Sequence, residues 1–490
     1  MAVLSAHTLN GSPSGAPDEH SHLLAPASSG DEGVLRRSHW THTCCLLVAS
    51  VLGIGVLGLP LAFVQLGQVW GLIALLLFGT GSVYSGVLIN RLTMAAGRGA
   101  ASYADLGHAA YGAAGRWVVR AVSFGYLFGT CASMQLTAAI ALVDLVRDVA
   151  GHRLCLVTAG IVVVCLLLPL LQVRTLHALA FLAAAGVLCI LVPAGIVVAE
   201  LSALPTRARL ANTTGQYHAG NGTAAAGNGA SAGGGAVALT AVSPGFAAGT
   251  GVANIIFAFA GQVLFVELQS EMAAPADFPR AVWWASATCL GVYVTVALVG
   301  YAFAQRVGVP SAIRAPITAS LPRDTASERA ASAAANALLL AHVLVAYVIN
   351  ANVVNRAVVR GLCARRRDDA RGIAPRRAGW LPWLMVSTAT VASWYVVANS
   401  IPFLQDLMGF IGATLGVVLT YVFPTVFARK VLWTRLSLCE RRATSVVLFV
   451  AVACSIFATA SVVANTAQHF AGATGRLAPF TCSGQGHTAA

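Results

Sequence analysis

The chain consists of long apolar segments with short polar ones between them, almost without interruption from residue 43 to residue 467. An apolar run of about 20 residues crosses the hydrocarbon core of a bilayer as a helix, because lipid cannot satisfy backbone N–H and C=O groups. The pattern therefore predicts an all-α integral membrane protein with eleven transmembrane spans. Numbered from the N-terminus, the predicted spans are 43–66, 69–90, 118–143, 155–173, 176–199, 246–267, 281–304, 332–355, 380–401, 403–428 and 443–467.

A polar segment flanks the apolar region at each end. We predict a cytosolic disordered tail at 1–40, a transmembrane domain at 41–470 and a non-cytosolic tail at 471–490. No signal peptide opens the chain, so the first span is expected to direct insertion itself. The segment of about 200–245 between spans five and six is rich in Gly, Ala, Asn and Thr, which favours a long non-cytosolic loop.

Charged residues are scarce and unevenly placed. They make up 10% of the chain, against about 25% in soluble proteins, so the protein needs lipid around much of its surface. Most of the 30 lysines and arginines lie on the side of the N-terminal tail, which makes that side cytosolic by the positive-inside rule. The net charge of +13 therefore indicates contact with anionic lipid headgroups, and no nucleic-acid partner is predicted.

Two kinds of short motif bear on location. Asn212 and Asn221 each begin an Asn-x-Thr acceptor sequence in the loop predicted to be non-cytosolic, so both are candidate glycosylation sites. In the N-terminal tail, residues 19–24 have the spacing of an acidic dileucine sorting signal. The predicted location is a lysosome- or vacuole-like membrane, with the plasma membrane as the alternative.

The side-chain patterns exclude several classes of protein. The 11 cysteines form no CxxC pair and no Cys/His pattern with the spacing of metal ligands, so we predict no metal site. No HExxH, GxSxG or phosphate-binding loop pattern occurs, and no paired intramembrane aspartates are found. The protein is therefore predicted to have no cofactor and not to be an enzyme.

Two of the predicted spans contain residues that interrupt helices. Span one has three glycines and a proline between Gly53 and Pro60, and span six has Gly249, Gly251 and Gly261. Close helix packing explains glycines, but it explains a proline so near a Gly-x-Gly less well, because proline removes a backbone donor. Interrupted helices at matching positions of two halves indicate an inverted-repeat transporter. The unwound backbone would offer N–H groups and carbonyls to the two charges of an amino acid zwitterion.

Four motifs extend this interpretation, in this order along the chain: Gly53-Ile54-Gly55 to Phe63, Ser102-Tyr103-Ala104-Asp105-Leu106-Gly107, Phe257-Ala258-Phe259-Ala260-Gly261-Gln262 with Glu267-Leu268-Gln269-Ser270-Glu271-Met272, and Ile401-Pro402-Phe403 with Asp406. With these motifs the chain resembles the amino acid/auxin permease family, part of the amino acid–polyamine–organocation superfamily. The resemblance covers about residues 42–467.

The resemblance implies a LeuT-like fold: two inverted five-helix repeats plus an eleventh helix, with helices 1 and 6 broken and transport by alternating access. It also implies coupling to protons or sodium. By position, the residues implied to bind the substrate are Gly53, Ile54 and Gly55 at its carboxylate, and Phe257, Ala258, Phe259 and Gly261 on the opposite side. One departure is Val353 in span eight, where the family often has proline, which leaves open any cation site that uses this segment.

Ionisable residues inside or at the ends of spans are further candidates. His342 in span eight is either proton-linked or a neutral histidine bonded to a backbone carbonyl. Glu267 and Glu271 share one helix face at the cytosolic end of span six, where we expect an inner-gate ion pair with a basic residue or a solvated helix end. Asp144 and Asp406 are expected to anchor helices at the non-cytosolic interface.

The function predicted from the sequence is secondary active transport of neutral amino acids with proton coupling. The predicted partners are an amino acid substrate, a proton and the lipid bilayer. Two alternatives remain open: a sodium-coupled transporter, and a non-transporting amino acid sensor on an internal membrane.

Overall fold

A computed structural model describes residues 39–97, 102–152, 154–172, 176–203, 244–307, 313–365 and 380–472, together with Phe480 and Cys482. The predicted glycosylation sites Asn212 and Asn221, the sorting motif at 19–24 and most of both predicted tails lie outside the described residues. The helices are α1a (Trp40–Val51), α1b (Ile54–Leu66), α2 (Gln68–Ala96), α3 (Tyr103–Ala150), α4 (Leu156–Leu170), α5 (Leu176–Ala203), α6a (Pro244–Phe259), α6b (Phe265–Ser270), α7 (Phe278–Val307), α8 (Ala326–Arg365), α9 (Trp380–Ser400), α10 (Leu404–Val431) and α11 (Leu438–Gly472).

The long helices lie where the apolar segments predict spans. Nine helices in the described ranges are long and apolar enough to cross a membrane, and the bent pair of α1a and α1b is a tenth candidate. These helices confirm the prediction of an all-helical, multi-pass membrane protein. The helix α4 is apolar but has only 15 residues, whereas a helix needs about 20 to cross a bilayer. The total of eleven spans therefore stays a prediction. We call the side at which α1a begins the inner side and the opposite one the outer side; the inner side is the one predicted to be cytosolic.

The helix α6a lies at the centre of the packing, and glycines let its neighbours approach closely. A Cβ on Gly251 of α6a would lie 2.9 Å from the carbonyl oxygen of Ala62 in α1b. On another face, a Cβ on Gly412 of α10 would clash with the carbonyl oxygen of Ala253. Small residues at such crossings bring helix backbones into van der Waals contact, which is the main source of helix association in lipid. Several of the glycines in span six and at the start of span ten are therefore packing residues.

The helix α3 begins with a short segment that folds back on the inner side. Its first turn is capped by Asp105, whose carboxylate accepts hydrogen bonds from the backbone N–H and the hydroxyl of Ser102 at 3.0 and 2.8 Å. The chain then kinks at Gly112, where φ is +65°, a conformation that favours glycine. This kink places Asp105 within 3.3 Å of the guanidinium of Arg116.

A disulfide joins Cys155, just before α4, to Cys482 near the C-terminus. Phe480 packs against Tyr395 of α9, with ring centroids 6.5 Å apart, so Phe480 and Cys482 both lie against the outer side of the bundle. The sequence analysis did not foresee this bond, because cysteines separated by 327 residues have no local spacing signature. A disulfide here agrees with a non-cytosolic outer side, since such bonds persist in oxidising compartments.

Candidate functional site

The first helix is broken in the middle, as the glycines predict. The helix α1a ends at Val51, Gly53 is extended with φ −110° and ψ −150°, and a 3-10 turn then opens α1b at Ile54. The two halves are bent by 42°. The N–H groups of Ile54 and Gly55 stand at the start of the new helix, where no preceding turn supplies acceptors.

The sixth helix is also interrupted. Ala260 and Gly261 are non-helical between the end of α6a at Phe259 and a 3-10 turn that leads into α6b. Gln262 stabilises the interruption: its Oε1 accepts the N–H of Gly261 at 3.0 Å and the hydroxyl of Thr420 at 2.9 Å. Its Nε2 donates to the hydroxyl of Ser82 at 2.7 Å. The break in helix six is thereby tied to α2 and α10.

The two breaks lie against each other. A Cβ on Gly55 would come within 2.7 Å of the Cα of Ala258, so the backbones touch at this point. The hydroxyl of Tyr293 in α7 lies 2.8 Å from the carbonyl oxygen of Val51 and 2.7 Å from that of Ala258. A third tyrosine contact involves Tyr126 of α3, whose hydroxyl donates to the carbonyl of Ala260. Carbonyls of both breaks therefore face hydroxyl groups, and that of Val51 also accepts the N–H of Gly53 at 2.8 Å.

The predicted substrate residues take different positions around this contact. Gly55 and Ala258 meet directly, whereas Phe257 and Phe259 point to opposite faces of α6a. Phe257 lies toward Tyr126 and Phe259 packs edge-on against Tyr293, with ring centroids 6.5 and 5.3 Å apart. Of the seven residues, Gly53 is partly exposed and the other six are buried. The seven do not all lie on one face of the site.

A small cavity lies on the inner side of the two breaks, between α1a, α2, α6 and α7. Most of its wall is apolar, with two hydroxyl groups and one thiol, and its lining residues are Leu47, Val51, Ser82, Phe259, Phe265, Val282, Ala285, Ser286 and Cys289. Cys289 is one helical turn from Tyr293 and is fully buried. The cavity marks the inner end of the junction between the broken helices.

The predicted inner-gate ion pair is not found among the residues that the structure describes. Among the described residues, neither Glu267 nor Glu271 has a basic nitrogen within 4 Å, and Oε2 of Glu267 is buried without a hydrogen-bond partner. Arg116 forms its ion pair with Asp105, across the kink in α3. Most of the basic loop 356–377 lies outside the described residues, so the inner-gate ion pair stays a prediction, with a solvated helix end as the alternative.

His342 lies between α8 and α5, bonded to neither broken helix. Its Nδ1 is 2.8 Å from the carbonyl oxygen of Gly186, and its side chain is almost fully buried. The structure therefore matches the alternative of a histidine bonded to a backbone carbonyl. Its Nε2 has no hydrogen-bond partner among the described residues. The segment around Val353 forms part of the continuous helix α8.

The outer side of the site is covered by the loop between α7 and α8. A 3-10 turn of this loop, Ile317–Ser320, packs against the first turn of α1b. Arg323 fastens the loop to α3, with guanidinium nitrogens 3.2 Å from a carboxylate oxygen of Asp144 and 2.5 Å from one of Asp148. Asp148 also accepts a hydrogen bond of 2.6 Å from Ser332 of α8. Asp144 is thus an anchor at the outer interface.

The sequence analysis missed Tyr293 and Arg323, the residues that join separate parts of the site. The signal for Tyr293 was a hydroxyl in the middle of an apolar span, which needs a buried partner. Arg323 offered no such signal, because its carboxylate partners lie about 175 residues earlier in the chain.

An apolar helical bundle in which two broken helices meet at the centre is typical of secondary transporters. Residues 36–468 match the family described as transmembrane amino acid transporter protein. The chain therefore belongs to the transmembrane amino acid transporter family, a family of multi-pass membrane transporters rather than of enzymes.

Curated relatives in Arabidopsis thaliana carry the same description. The chain is 23% identical to the amino acid transporter AVT1D over 79% of its own length, but the match spans only 62% of AVT1D. With AVT1J it shares 23% identity over 80% of this chain and 82% of that one. A solved structure, the manganese transporter of Eremococcus coleocola, is similar with a TM-score of 0.49 and 13% identity, covering 89% of this chain and 91% of the other.

Proposed function

We propose that this protein is a secondary active transporter of neutral amino acids that works by alternating access. The observation that carries the proposal is the contact between the two broken helices, together with membership of the family. Breaks in two helices leave backbone groups without a partner in their own helix, and such groups are tolerated inside a membrane only where protein buries them or they line a cavity.

The substrate contacts follow from the charges of the backbone. The N–H groups of Ile54 and Gly55 would bind the carboxylate, because the N-terminus of a helix carries partial positive charge. The carbonyls of Val51 and Ala258 would bind the ammonium group once Tyr293 releases one of them. The side chains named at the two breaks are uncharged, which favours a neutral amino acid.

The proposed transport cycle uses the whole helical bundle. We propose that α4 also crosses the membrane, which gives eleven spans, and that spans one to five and six to ten form two inverted repeats. Opening to the inner side would separate α1a from α6b and α7, and opening to the outer side would lift the loop that holds Arg323. In this proposal Gly53, Phe257, Phe259 and Gly261 adjust the shape of the site around the substrate.

Protons are the proposed coupling ion. His342 is the candidate for proton linkage from the sequence, and Glu267 and Glu271 are candidates for the inner gate. Sodium remains the alternative ion, since carbonyl and hydroxyl oxygens at the breaks are hard ligands suited to it. We further propose that Asn212 and Asn221 are glycosylated and that the protein resides in a lysosome- or vacuole-like membrane or the plasma membrane.

The test is a substrate panel with purified protein in vesicles. Uptake of labelled neutral amino acids is measured with and without an imposed proton gradient, in sodium-containing and sodium-free buffer. We expect flux of at least one neutral amino acid that follows the proton gradient and does not need sodium. Flux that requires sodium would show that sodium, and not the proton, is the coupling ion. Binding of amino acids without flux would favour the hypothesis of a non-transporting sensor.

A variant test addresses His342. Replacing it with alanine should change the pH dependence of transport more than the substrate concentration at half-maximal rate. If the pH profile of His342→Ala equals that of the wild type, His342 has no part in coupling, and its bond to Gly186 is structural.

A further inference from the structure

A buried carboxylate joins α10 to α11 on the outer side of the molecule. Asp406 lies in the first turn of α10, and its side chain is 1% exposed. Its Oδ1 accepts a hydrogen bond of 2.7 Å from Nδ2 of Asn465, and its Oδ2 lies 2.6 Å from Nδ1 of His469. The His469 side chain is 38% exposed, so the pair is in contact with the outer compartment through the imidazole.

The net charge of this pair depends on one proton. An ionised carboxylate is costly to bury in a membrane protein unless a cation compensates it. In the part of the chain that the structure describes, the basic nitrogen within 4 Å of Asp406 belongs to His469, which is charged only when protonated. With the proton bound the pair is neutral overall, and without it a net negative charge stays buried.

The neighbouring described helices offer the carboxylate of Asp406 no compensating cation other than His469. The helices α1b and α6a carry no titratable side chain. At the outer end of α3, the carboxylates of Asp144 and Asp148 are bound by Arg323, and Arg147 is the remaining charged residue. The ring of Phe403 covers the imidazole of His469, with centroids 4.9 Å apart.

The residue next to Asp406 connects the pair to both broken helices. The backbone carbonyl of Gln405 accepts a hydrogen bond of 3.0 Å from Asn254 of α6a. Its side-chain amide donates to the carbonyl of Gly58 in the first turn of α1b at 3.4 Å. A shift of the first turn of α10 therefore acts on the outer halves of helices one and six at the same time.

We propose that Asp406 and His469 form a proton-binding site open to the outer compartment, which holds α10 against the two broken helices when occupied. This inference rests on the proposed proton-coupled transport and names a residue pair for it. Loss of the proton leaves the carboxylate of Asp406 uncompensated and weakens the packing of α10 against α11. The pair thus favours the closed arrangement at acidic outer pH, and this preference is lost as the pH rises through the titration of the imidazole.

A simple interhelical anchor predicts different behaviour. In that case either side chain of the pair would matter for folding, and its loss would lower stability by the same amount at every pH. A proton site instead predicts opposite effects of the two neutral substitutions. Asp406→Asn removes the buried charge permanently, whereas His469→Gln leaves the carboxylate permanently uncompensated.

The first experiment measures tracer exchange of a transported neutral amino acid in vesicles, with equal pH on both sides so that no gradient drives it. Exchange requires the helices to close around the substrate in each cycle, and the protonated pair favours that closed arrangement. We therefore expect wild-type exchange to fall by about 5-fold or more between about pH 5 and about pH 8. Asp406→Asn and the double variant with His469→Gln should exchange at a rate that does not vary with pH, and His469→Gln alone should be slow throughout. His152→Gln is the matched control, because His152 is an exposed outer-side histidine whose one hydrogen bond to a described residue is with the carbonyl of Ala150.

The second experiment needs no substrate. Thermal unfolding of the purified protein is followed at about pH 5 and about pH 8. The melting temperature of the wild type should fall between these values by about 2 °C more than that of Asp406→Asn. This difference without any amino acid flux would overturn the proposed function but leave the proton site standing. Flux with a wild-type pH profile in Asp406→Asn, or equal exchange rates in Asp406→Asn and His469→Gln, would overturn the proton site.

Discussion

The hydroxyl of Tyr293 lies 2.7 Å from the carbonyl oxygen of Ala258, at the break in helix six. The same hydroxyl is 2.8 Å from the carbonyl of Val51, at the break in helix one. A tyrosine hydroxyl has one proton to donate, so it bonds fully to one carbonyl at a time. Tyr293 therefore links the two breaks in the closed conformation and must give up one of them when the helices separate.

Removing this hydroxyl should loosen the junction from the inner side. In Tyr293→Phe the carbonyl of Ala258 loses the hydroxyl donor, whereas that of Val51 keeps the N–H of Gly53 at 2.8 Å. A buried unsatisfied carbonyl costs about 1–3 kcal/mol. We expect faster modification of the buried thiol of Cys289 by a small water-soluble reagent, measured by site-resolved mass spectrometry. Tyr421→Phe is the control, because its hydroxyl donates to the carbonyl of Phe78 away from the breaks. Equal labelling rates in Tyr293→Phe and wild type would refute the clamp.

The two glycines of the first break should differ sharply in their tolerance of a methyl group. A Cβ on Gly55 would lie 2.7 Å from the backbone of Ala258, whereas one on Gly53 has no atom within 4 Å. Overpacking of this kind costs about 1–3 kcal/mol. We expect Gly55→Ala to lose most transport and Gly53→Ala to retain it, at matched amounts of folded protein. Full transport by Gly55→Ala would show that the breaks do not touch during the cycle.

The ion pairs of Arg323 should hold the outer loop in place. Asp148 is fully buried beside this guanidinium, and breaking a buried pair by removing one partner costs about 3–5 kcal/mol. In Arg323→Gln we expect lower thermal stability and faster labelling of a cysteine placed at Thr318 from the outer side. Arg91→Gln is the control, because its pair with Glu440 is largely exposed and solvent screens such pairs. Equal stability of the two variants would contradict a closing role for Arg323.

The disulfide gives a direct test of the predicted orientation. Peptide mapping of unreduced protein should recover Cys155 linked to Cys482, and single and double serine variants should have the same stability because they lose the same bond. Cys165→Ser, which removes a free thiol of α4, is the control. Free thiols at both positions in protein from intact cells would argue that the outer side faces the cytosol.

Glycosylation tests the same orientation independently. Enzymatic removal of N-linked glycans should shift the mass of wild-type protein, and Asn212→Gln with Asn221→Gln should abolish the shift. A glycan at either asparagine would place the long loop on the same side as the disulfide. If the mass of the wild-type protein does not change, in cells that glycosylate a control membrane protein, then neither asparagine is glycosylated.

The hydrophobic pattern alone determined that the chain is a helical membrane protein and where its helices lie. Bilayer thickness and the need to satisfy backbone hydrogen bonds make this a local question, which 20-residue windows answer. The break at Gly53 was also local, because glycines and a proline disrupt the helix in which they occur. The family could also be identified from the motifs, because the residues that define each motif are close together in the chain.

Contacts between distant segments were decided only by the tertiary structure. Arg116 binds Asp105 across the kink in α3. His469 contacts Asp406, which is 63 residues earlier in the chain, and no local sequence pattern around either residue predicts this contact. Single polar residues in apolar helices acquire their roles from the neighbour they face, and the helix faces that meet are set by packing of the whole bundle.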